Sequence, residues 1–176
     1  MNKSAYIAFA AATLLCFVLG VGGCISNDTT NDTAKFESLM SEGDAWTNAR
    51  DYKKAFSAYN LAVKRLEAKN ARAYYSRGNA YLALGMYQGA IADYDMCLRA
   101  APRHGQCHYN RAEALYEMGS YEDAANSYAK AFGLMPDYTQ ALYNEGAALR
   151  KLGRKSEAEQ LMNMARELDP SVRDKE

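Results

Sequence analysis

Two histidines and four cysteines are the residues of this 176-residue chain best suited to metal chemistry, and three of them cluster: His104, Cys107 and His108. Imidazole and thiolate groups are the ligands that zinc prefers. A structural zinc site needs a fourth ligand at useful spacing, which the sequence lacks, and His108 falls on a position expected to pack between helices. We therefore expect no metal and no cofactor.

The sequence also lacks any recognisable arrangement of catalytic residues. There is no glycine-rich phosphate loop and no Ser/His/Asp arrangement, and pairs of carboxylates such as Glu113 and Glu117 are common on exposed helix faces. Twenty-one basic residues balance twenty-one acidic ones, so the chain lacks the basic surplus of a nucleic-acid-binding protein. We expect a protein that is not an enzyme and does not bind nucleic acid.

A further cysteine, Cys24, follows an apolar run from Ala5 to Gly23, with Lys3 before it. A basic start, an apolar stretch and small residues at its end are typical of a secretory signal. The run is also just long enough to cross a bilayer as an uncleaved helix. Residues 1–23 are therefore predicted to be a signal peptide or a membrane anchor, and both place the remainder outside the cytosol.

The segment Val21-Gly22-Gly23-Cys24 resembles the lipobox of prokaryotic lipoproteins, although that family usually has leucine where Val21 stands. The resemblance implies that the Cys24 thiol receives a diacylglyceryl group and becomes the new N-terminus. The alternative is a cysteine that merely follows a signal peptide. We expect a lipid-anchored protein at the extracytoplasmic face of a cell membrane or envelope.

Residues 24–35 are polar after Cys24 and show no periodicity, so we predict a flexible tether between anchor and domain. Asn27 and Asn31 both begin N-glycosylation acceptor patterns, which a linker of this composition can also match by chance. Their modification stays open.

A 34-residue period organises the rest of the chain. All three prolines keep this step, and several other columns follow it, including one of glycines: Pro102, Pro136, Pro170; Gly85, Gly119, Gly153; Ala90, Ala124, Ala158. A fourth copy, offset by one residue, lies upstream. The predicted units are 36–70, 71–104, 105–138 and 139–172, with a tail at 173–176.

The second unit reads Tyr74-x2-Arg77-Gly78-x2-Tyr81, then Ala90-x3-Tyr94, then Pro102, which resembles the tetratricopeptide repeat. The resemblance implies an all-α fold in which tandem helix-turn-helix repeats stack as a right-handed solenoid with a concave face. The column of Glu42, Arg77, Arg111 and Glu145 departs from the family, which usually has an apolar residue there.

In that family the concave groove is lined by one stripe of each unit's first helix. The resemblance places seven notable residues there: Tyr75, Asn79, Tyr109, Asn110, Glu113, Tyr143 and Asn144. Tyrosine and asparagine suit an extended peptide, whose backbone needs donors and acceptors. The alternative is that the tyrosines pack on the adjoining helix.

Cys97 and Cys107 fall on helices that would be neighbours in such an array. A disulfide between them is sterically plausible outside the cytosol. The alternative is a pair of buried thiols in alanine-like positions.

The last helix of the array has no following unit to cover it. Leu161, Met164 and Leu168 form one helical stripe there, and an uncovered apolar stripe often marks an interface. We expect either docking to a partner or a second copy, or an inward tilt that covers the stripe. The function predicted is a membrane-anchored adaptor that binds a peptide or protein in its groove. The alternative is a structural subunit of an envelope assembly, bound through its outer faces or C-terminal end.

Overall fold

A computed structural model describes residues 31–65 and 70–172 of the chain. Within those ranges every regular element is an α-helix, so the all-α repeat fold is confirmed. The first helix, α1, covers residues 31–48. The others are α2 (Tyr52–Arg65), α3 (Ala71–Ala83), α4 (Tyr87–Ala100), α5 (Gly105–Glu117), α6 (Tyr121–Leu134), α7 (Thr139–Lys151) and α8 (Lys155–Leu168).

The predicted tether differs at its C-terminal end, because residues 31–35 are helical. No glycine or proline occurs between positions 31 and 42, so nothing stops the amphipathic helix from extending N-terminally. Asp32 in this extension pairs with Arg65 at the end of α2, with a distance of 2.8 Å. The predicted signal or anchor (1–23), Cys24, Asn27 and the tail (173–176) lie outside the described residues.

The turn inside each helical hairpin is built around one residue in the left-handed conformation. Gly85, Gly119 and Gly153 have φ angles of 70°, 79° and 81°, as a C-terminal glycine cap requires. Arg50 takes this conformation in the first unit, with φ 58°, which a side chain makes less favourable. In every hairpin the backbone N–H of the residue directly after the left-handed residue closes the turn, as Met86 does by donating to the Tyr81 carbonyl over 2.9 Å.

Small residues on the first helix of each hairpin let a large side chain of the second helix approach closely. A Cβ added to Gly78 would lie 2.8 Å from the Tyr94 ring, and the same holds for Gly43 against Tyr59 at 2.3 Å. Tyr94 is fully buried by this contact. The repeated glycine or alanine therefore sets the distance between the two helices of a unit.

The helices stack in chain order, and each packs mainly on its neighbours in sequence. Phe36, Leu39 and Met40 of α1 join the core formed with α2 and α3. At the other end Val172, after the last helix, packs against Leu142 and Met162. In the described part of the chain, no helix combines the length and the apolar character needed to cross a bilayer.

Candidate functional site

A tyrosine on the second helix of each of the first three units donates its hydroxyl hydrogen to an acceptor on the first helix. Tyr59 donates to Asp44 over 2.8 Å, and Tyr94 donates to Asn79 over 2.9 Å. Tyr128 donates to Glu113 in the same way. The fourth unit has Met162 and Ala147 at these two positions, so tyrosine and acceptor are lost together. We call this set of bonds the polar seam.

The polar seam also joins successive units. Asn110 donates its side-chain amide to Asn79 over 2.8 Å, and Asn144 donates to Glu113 over 3.1 Å. Asn144 also donates to the Tyr109 hydroxyl over 3.0 Å. Four of the predicted groove residues, Asn79, Asn110, Glu113 and Asn144, are therefore engaged in holding the stack together.

Burial keeps the seam tyrosines in the neutral form. Desolvation, with smaller contributions that include the nearby Asp44 carboxylate, raises the pKa of Tyr59 to about 12. For Tyr94 burial is again the main cause of a raised pKa, followed by Tyr75. The pKa values of Tyr109 and Tyr128 are raised by burial and then by Glu113. The hydroxyls of Tyr59, Tyr94 and Tyr128 therefore act as structural donors at all ordinary pH values.

The three tyrosines predicted to line the groove, Tyr75, Tyr109 and Tyr143, do not share one environment. Tyr75 is half-buried, with its ring 5.1 Å from that of His104, and Tyr109 is half-buried beside Tyr138, with ring centres 4.8 Å apart. Tyr143 is only 1% exposed, and Arg166 donates to its hydroxyl over 2.9 Å. Little of its surface is accessible, yet it lines the smaller pocket of the fourth unit, so its role as a ligand contact stays a prediction.

Two half-buried tyrosines line an open cleft of about 680 Å³ on the groove side of the second and third units. Polar groups come from Gln106, Asn110 and the exposed Asp137, and the other lining side chains are aromatic or apolar. The lining residues are Tyr75, Gln106, Tyr109, Asn110, Leu134, Met135, Pro136, Asp137 and Tyr138. This cleft can accept one large apolar or aromatic side chain together with a stretch of peptide backbone.

Tyr138 is the lining residue that sequence reasoning missed. It is 42% exposed and immediately precedes α7, so it belongs to the connection after Pro136 rather than to a first-helix stripe. Its signal in the sequence was weak, because the equivalent positions hold His104 and Val172.

A smaller pocket of about 190 Å³ continues along the fourth unit. Its lining residues are Tyr116, Tyr128, Tyr143, Asn144, Ala147, Arg150 and Lys151. Both basic side chains are exposed, so the groove becomes more basic towards its C-terminal end.

Cys97 and Cys107 form a disulfide that joins α4 to α5, and so the second unit to the third. It encloses a short loop, with a sequence separation of 10, for which chain-entropy reasoning gives about 2–3 kcal/mol of stabilisation. His104 caps α5 by accepting from the Cys107 backbone N–H over 3.2 Å. Its imidazole also lies with both sulfurs inside a 4.8 Å cluster of donor atoms, which sequence spacing did not predict. The disulfide engages both sulfurs, so the cluster offers no thiolate pair.

His108 lies apart from that cluster. Its Nε2 is 3.1 Å from the Pro102 carbonyl oxygen, and burial lowers its pKa. This is the packing role that its position in the repeat predicted.

The arginines that departed from the family pattern bridge three helices each. Arg77 donates twice to Asp93 over 2.7 Å and once to Asn60 over 2.8 Å, which joins its own unit to the first. Arg111 bridges Asp95 and Ser127 in the same manner. Hydrogen bonding to the Asp93 carboxylate raises the pKa of Arg77. These arginines therefore serve packing rather than the groove.

The predicted end stripe on α8 is largely uncovered. Met164 is 49% exposed and Leu168 is 58% exposed, whereas Leu161 is half-buried. The last helix has not tilted far enough to cover the stripe.

Stacked helical hairpins with a polar groove define this chain as a helical repeat protein of the solenoid class. More specifically, it carries tetratricopeptide repeats: models of the tetratricopeptide repeat family match residues 71–104 and 109–172, together more than half of the chain. Over 71 residues it is 34% identical to sperm-associated antigen 1 of Rattus norvegicus. That match covers 40% of this chain but only 8% of the relative's length.

Solved structures of MamA share the fold. A crystal structure of MamA superimposes with a TM-score of 0.75 at 21% identity, covering 82% of this chain and 84% of that one. MamA from Desulfovibrio magneticus RS-1, residues 41 to the end, gives 0.72 at 22% identity, with 79% and 78% covered. An RS-1 MamA double mutant gives 0.74 at 20%, with 97% of each chain covered. At these identities the likeness concerns the fold alone.

Proposed function

We propose that this protein is a membrane-anchored, extracytoplasmic adaptor whose concave groove binds an extended segment of a partner protein. The observation that carries the proposal is the open cleft between Tyr75, Tyr109 and Tyr138. It combines aromatic surface with the amide of Gln106. The side chains of the neighbouring polar seam already have hydrogen-bond partners within the fold. Tetratricopeptide repeats and the shared solenoid fold support a protein-interaction role in general.

The groove chemistry favours a particular kind of ligand. An aromatic or large aliphatic side chain fits the cleft, and a carboxylate further along the same segment would meet Arg150 and Lys151 at the fourth unit. Since the polar seam holds the first helices rigidly, the ligand meets a preformed surface and little ordering cost is expected on the protein side.

A pull-down from detergent-solubilised native membranes tests the groove. The bait is the tether with the repeats, either wild type or with Tyr138→Ala and Gln106→Ala, two side chains outside the seam. Leu61→Ala is the matched control, because Leu61 is a similarly exposed apolar residue on α2. We expect the double variant to lose the partner and the control to keep it. Retention of the partner by a folded double variant would contradict groove binding.

Anchoring rests on Cys24 and the preceding apolar run, which lie outside the described residues. Cys24→Ser should abolish incorporation of a labelled fatty acid and block maturation at this site. Unchanged lipid labelling of the variant would contradict lipidation at Cys24.

The second candidate function is that of a structural subunit of an envelope assembly. The exposed Met164 and Leu168 on α8 favour it, because an uncovered apolar stripe at the end of a repeat array suits contact with another subunit. In that case the Tyr138 and Gln106 changes leave association intact, and Met164→Glu removes it.

A further inference from the structure

The outer side of the fourth unit differs from the second and third units at one position that is repeated along the stack. In those two units an arginine of the first helix occupies it and bonds to acceptors on two second helices. Because the bridging pattern is the same for Arg77 and Arg111, the position defines a polar slot between successive second helices.

All three components of this slot change together in the fourth unit. Glu145 stands in the arginine column, Leu161 stands in the column of Asp93 and Ser127, and Ala129 stands in that of Asn60 and Asp95. The cation has become an anion, and both acceptors have become apolar. No internal bridge of the same kind can form here.

The result is an open pocket of about 250 Å³, which we call the Glu145 slot. Apolar and polar side chains of α6, α7 and α8 form its walls. Its lining residues are Glu122, Ala125, Asn126, Glu145, Leu149, Arg154, Glu157, Gln160 and Leu161. The slot is wide because Ala125 replaces the larger Phe56 and Ile91 of earlier units.

Negative charge dominates the Glu145 slot. Three carboxylates face a single guanidinium, that of Arg154, which is bound to Glu157 over 2.6 Å and lies 3.6 Å from Glu122. Glu145 itself is half-buried, and desolvation raises its pKa. A half-buried carboxylate between apolar walls attracts an added cation more strongly than a surface carboxylate does.

The Glu145 slot opens next to the uncovered stripe on α8. Leu161 lines the slot, and Met164 and Leu168 continue from it on the same helix face, both about half exposed. From Leu161 to Leu168 the stripe extends roughly 10 Å along the helix. The surface therefore presents one anionic pocket followed by two helical turns of apolar contact.

We propose that the Glu145 slot and the α8 stripe together bind a basic amphipathic helix of a partner protein. One arginine of that helix enters the slot and pairs with Glu145, as Arg77 and Arg111 pair internally in the earlier units. Its apolar side chains lie on Met164 and Leu168. Arginine suits the slot because its planar guanidinium is weakly hydrated and its stem packs on apolar walls. This surface is separate from the concave groove.

The test uses the full chain in lipid nanodiscs and a fluorescent helical peptide with one arginine and with leucines four and seven positions later. The matched peptide carries citrulline, which has the same shape without the charge. We expect wild type to bind the arginine peptide about tenfold more tightly, as one desolvated charge pair implies. Glu145→Gln should abolish that difference, and Met164→Glu should weaken both peptides.

Glu159→Gln is the control, because Glu159 is exposed on α8 but does not line the slot. It should leave the tenfold difference unchanged. Equal binding of the two peptides by wild type, absence of binding, or a difference that persists in Glu145→Gln would overturn the proposal. So would loss of binding on Tyr138→Ala, which would place the peptide in the groove.

Discussion

At the scale of single residues, the polar side chains of the groove are divided between structure and recognition. Glu113 illustrates the structural group, since one carboxylate oxygen accepts from Tyr128 in its own unit and from Asn144 in the next. Asn144 is only 3% exposed, so the loss of this acceptor would leave a buried amide without one of its partners. Residues of this kind are unsuited to binding a partner, because their hydrogen bonds already hold the units together.

Glu113→Gln and Glu113→Ala should therefore differ sharply. The glutamine oxygen can accept both bonds, as the Asn79 oxygen does in the second unit. Alanine removes the acceptor and should lower the free energy of unfolding by about 1–3 kcal/mol. Urea denaturation measures both variants, and equal destabilisation by the two would contradict the role assigned to Glu113.

Arg77 and Asp93 form a largely buried ion pair, with side chains 15% and 5% exposed. Arg77→Met should cost about 3 kcal/mol, because it leaves the Asp93 carboxylate buried without its cation. Adding Asp93→Leu, the residue type found at this position in the fourth unit, should recover most of that loss. A double variant as unstable as the single one, measured by denaturant unfolding, would show that the pair is not what holds these helices.

At the scale of elements, the seam tyrosines couple stability to alkaline pH. Burial raises the pKa of Tyr59 to about 12, against about 10 in an unfolded chain. A group whose pKa is higher in the folded state contributes stability that is complete below pH 10 and is lost as the pH rises towards 12. The hairpin joined by Tyr59 and Asp44 should therefore weaken across that window.

Tyr59→Phe isolates this contribution. At pH 8 the variant should be less stable than wild type, because the bond to Asp44 is lost. Between pH 8 and pH 11 the difference should shrink by about 1 kcal/mol, since phenylalanine has no proton to lose. Denaturation curves at both pH values measure the difference, which would stay constant if Tyr59 were not held neutral by the fold.

The hairpins were predictable from sequence because their determinants are local. A left-handed glycine, a small residue facing a tyrosine and a proline after the second helix each act within one unit, and a 34-residue step reveals them. The extension of α1 over residues 31–35 was missed because polar residues without a breaker are compatible with helix or coil. The helical conformation there brings Asp32 into contact with Arg65, which lies 33 residues away in the sequence.

At the scale of the whole molecule, the site was only partly predictable, because its residues are selected by contacts between units. Tyr75, Tyr109 and Tyr143 occupy one column of the repeat, yet Tyr75 and Tyr109 line the larger cleft and Tyr143 lines the smaller pocket of the fourth unit. The Tyr143 hydroxyl accepts from Arg166 of the terminal helix, a contact that the repeat pattern does not predict. Tyr138 lines the cleft from a connection that periodicity alone did not single out.

The concave groove and the outer surface are proposed to bind different partner segments. Binding in the groove requires a segment that passes between Tyr75 and Tyr138. Binding at the outer surface requires Glu145 and the apolar stripe on α8. Because the two surfaces share no lining residues, their variants can be read independently.

Site-specific photo-crosslinking in the native membrane shows whether a partner segment lies in the groove. A photoreactive phenylalanine derivative replaces Tyr138 in the full chain, and in a second protein it replaces Leu61, which is similarly exposed on α2. Groove binding predicts a discrete adduct from position 138 that contains an extended segment of one partner, with little or none from position 61. Adducts of equal yield from both positions, or from position 61 alone, would contradict groove binding.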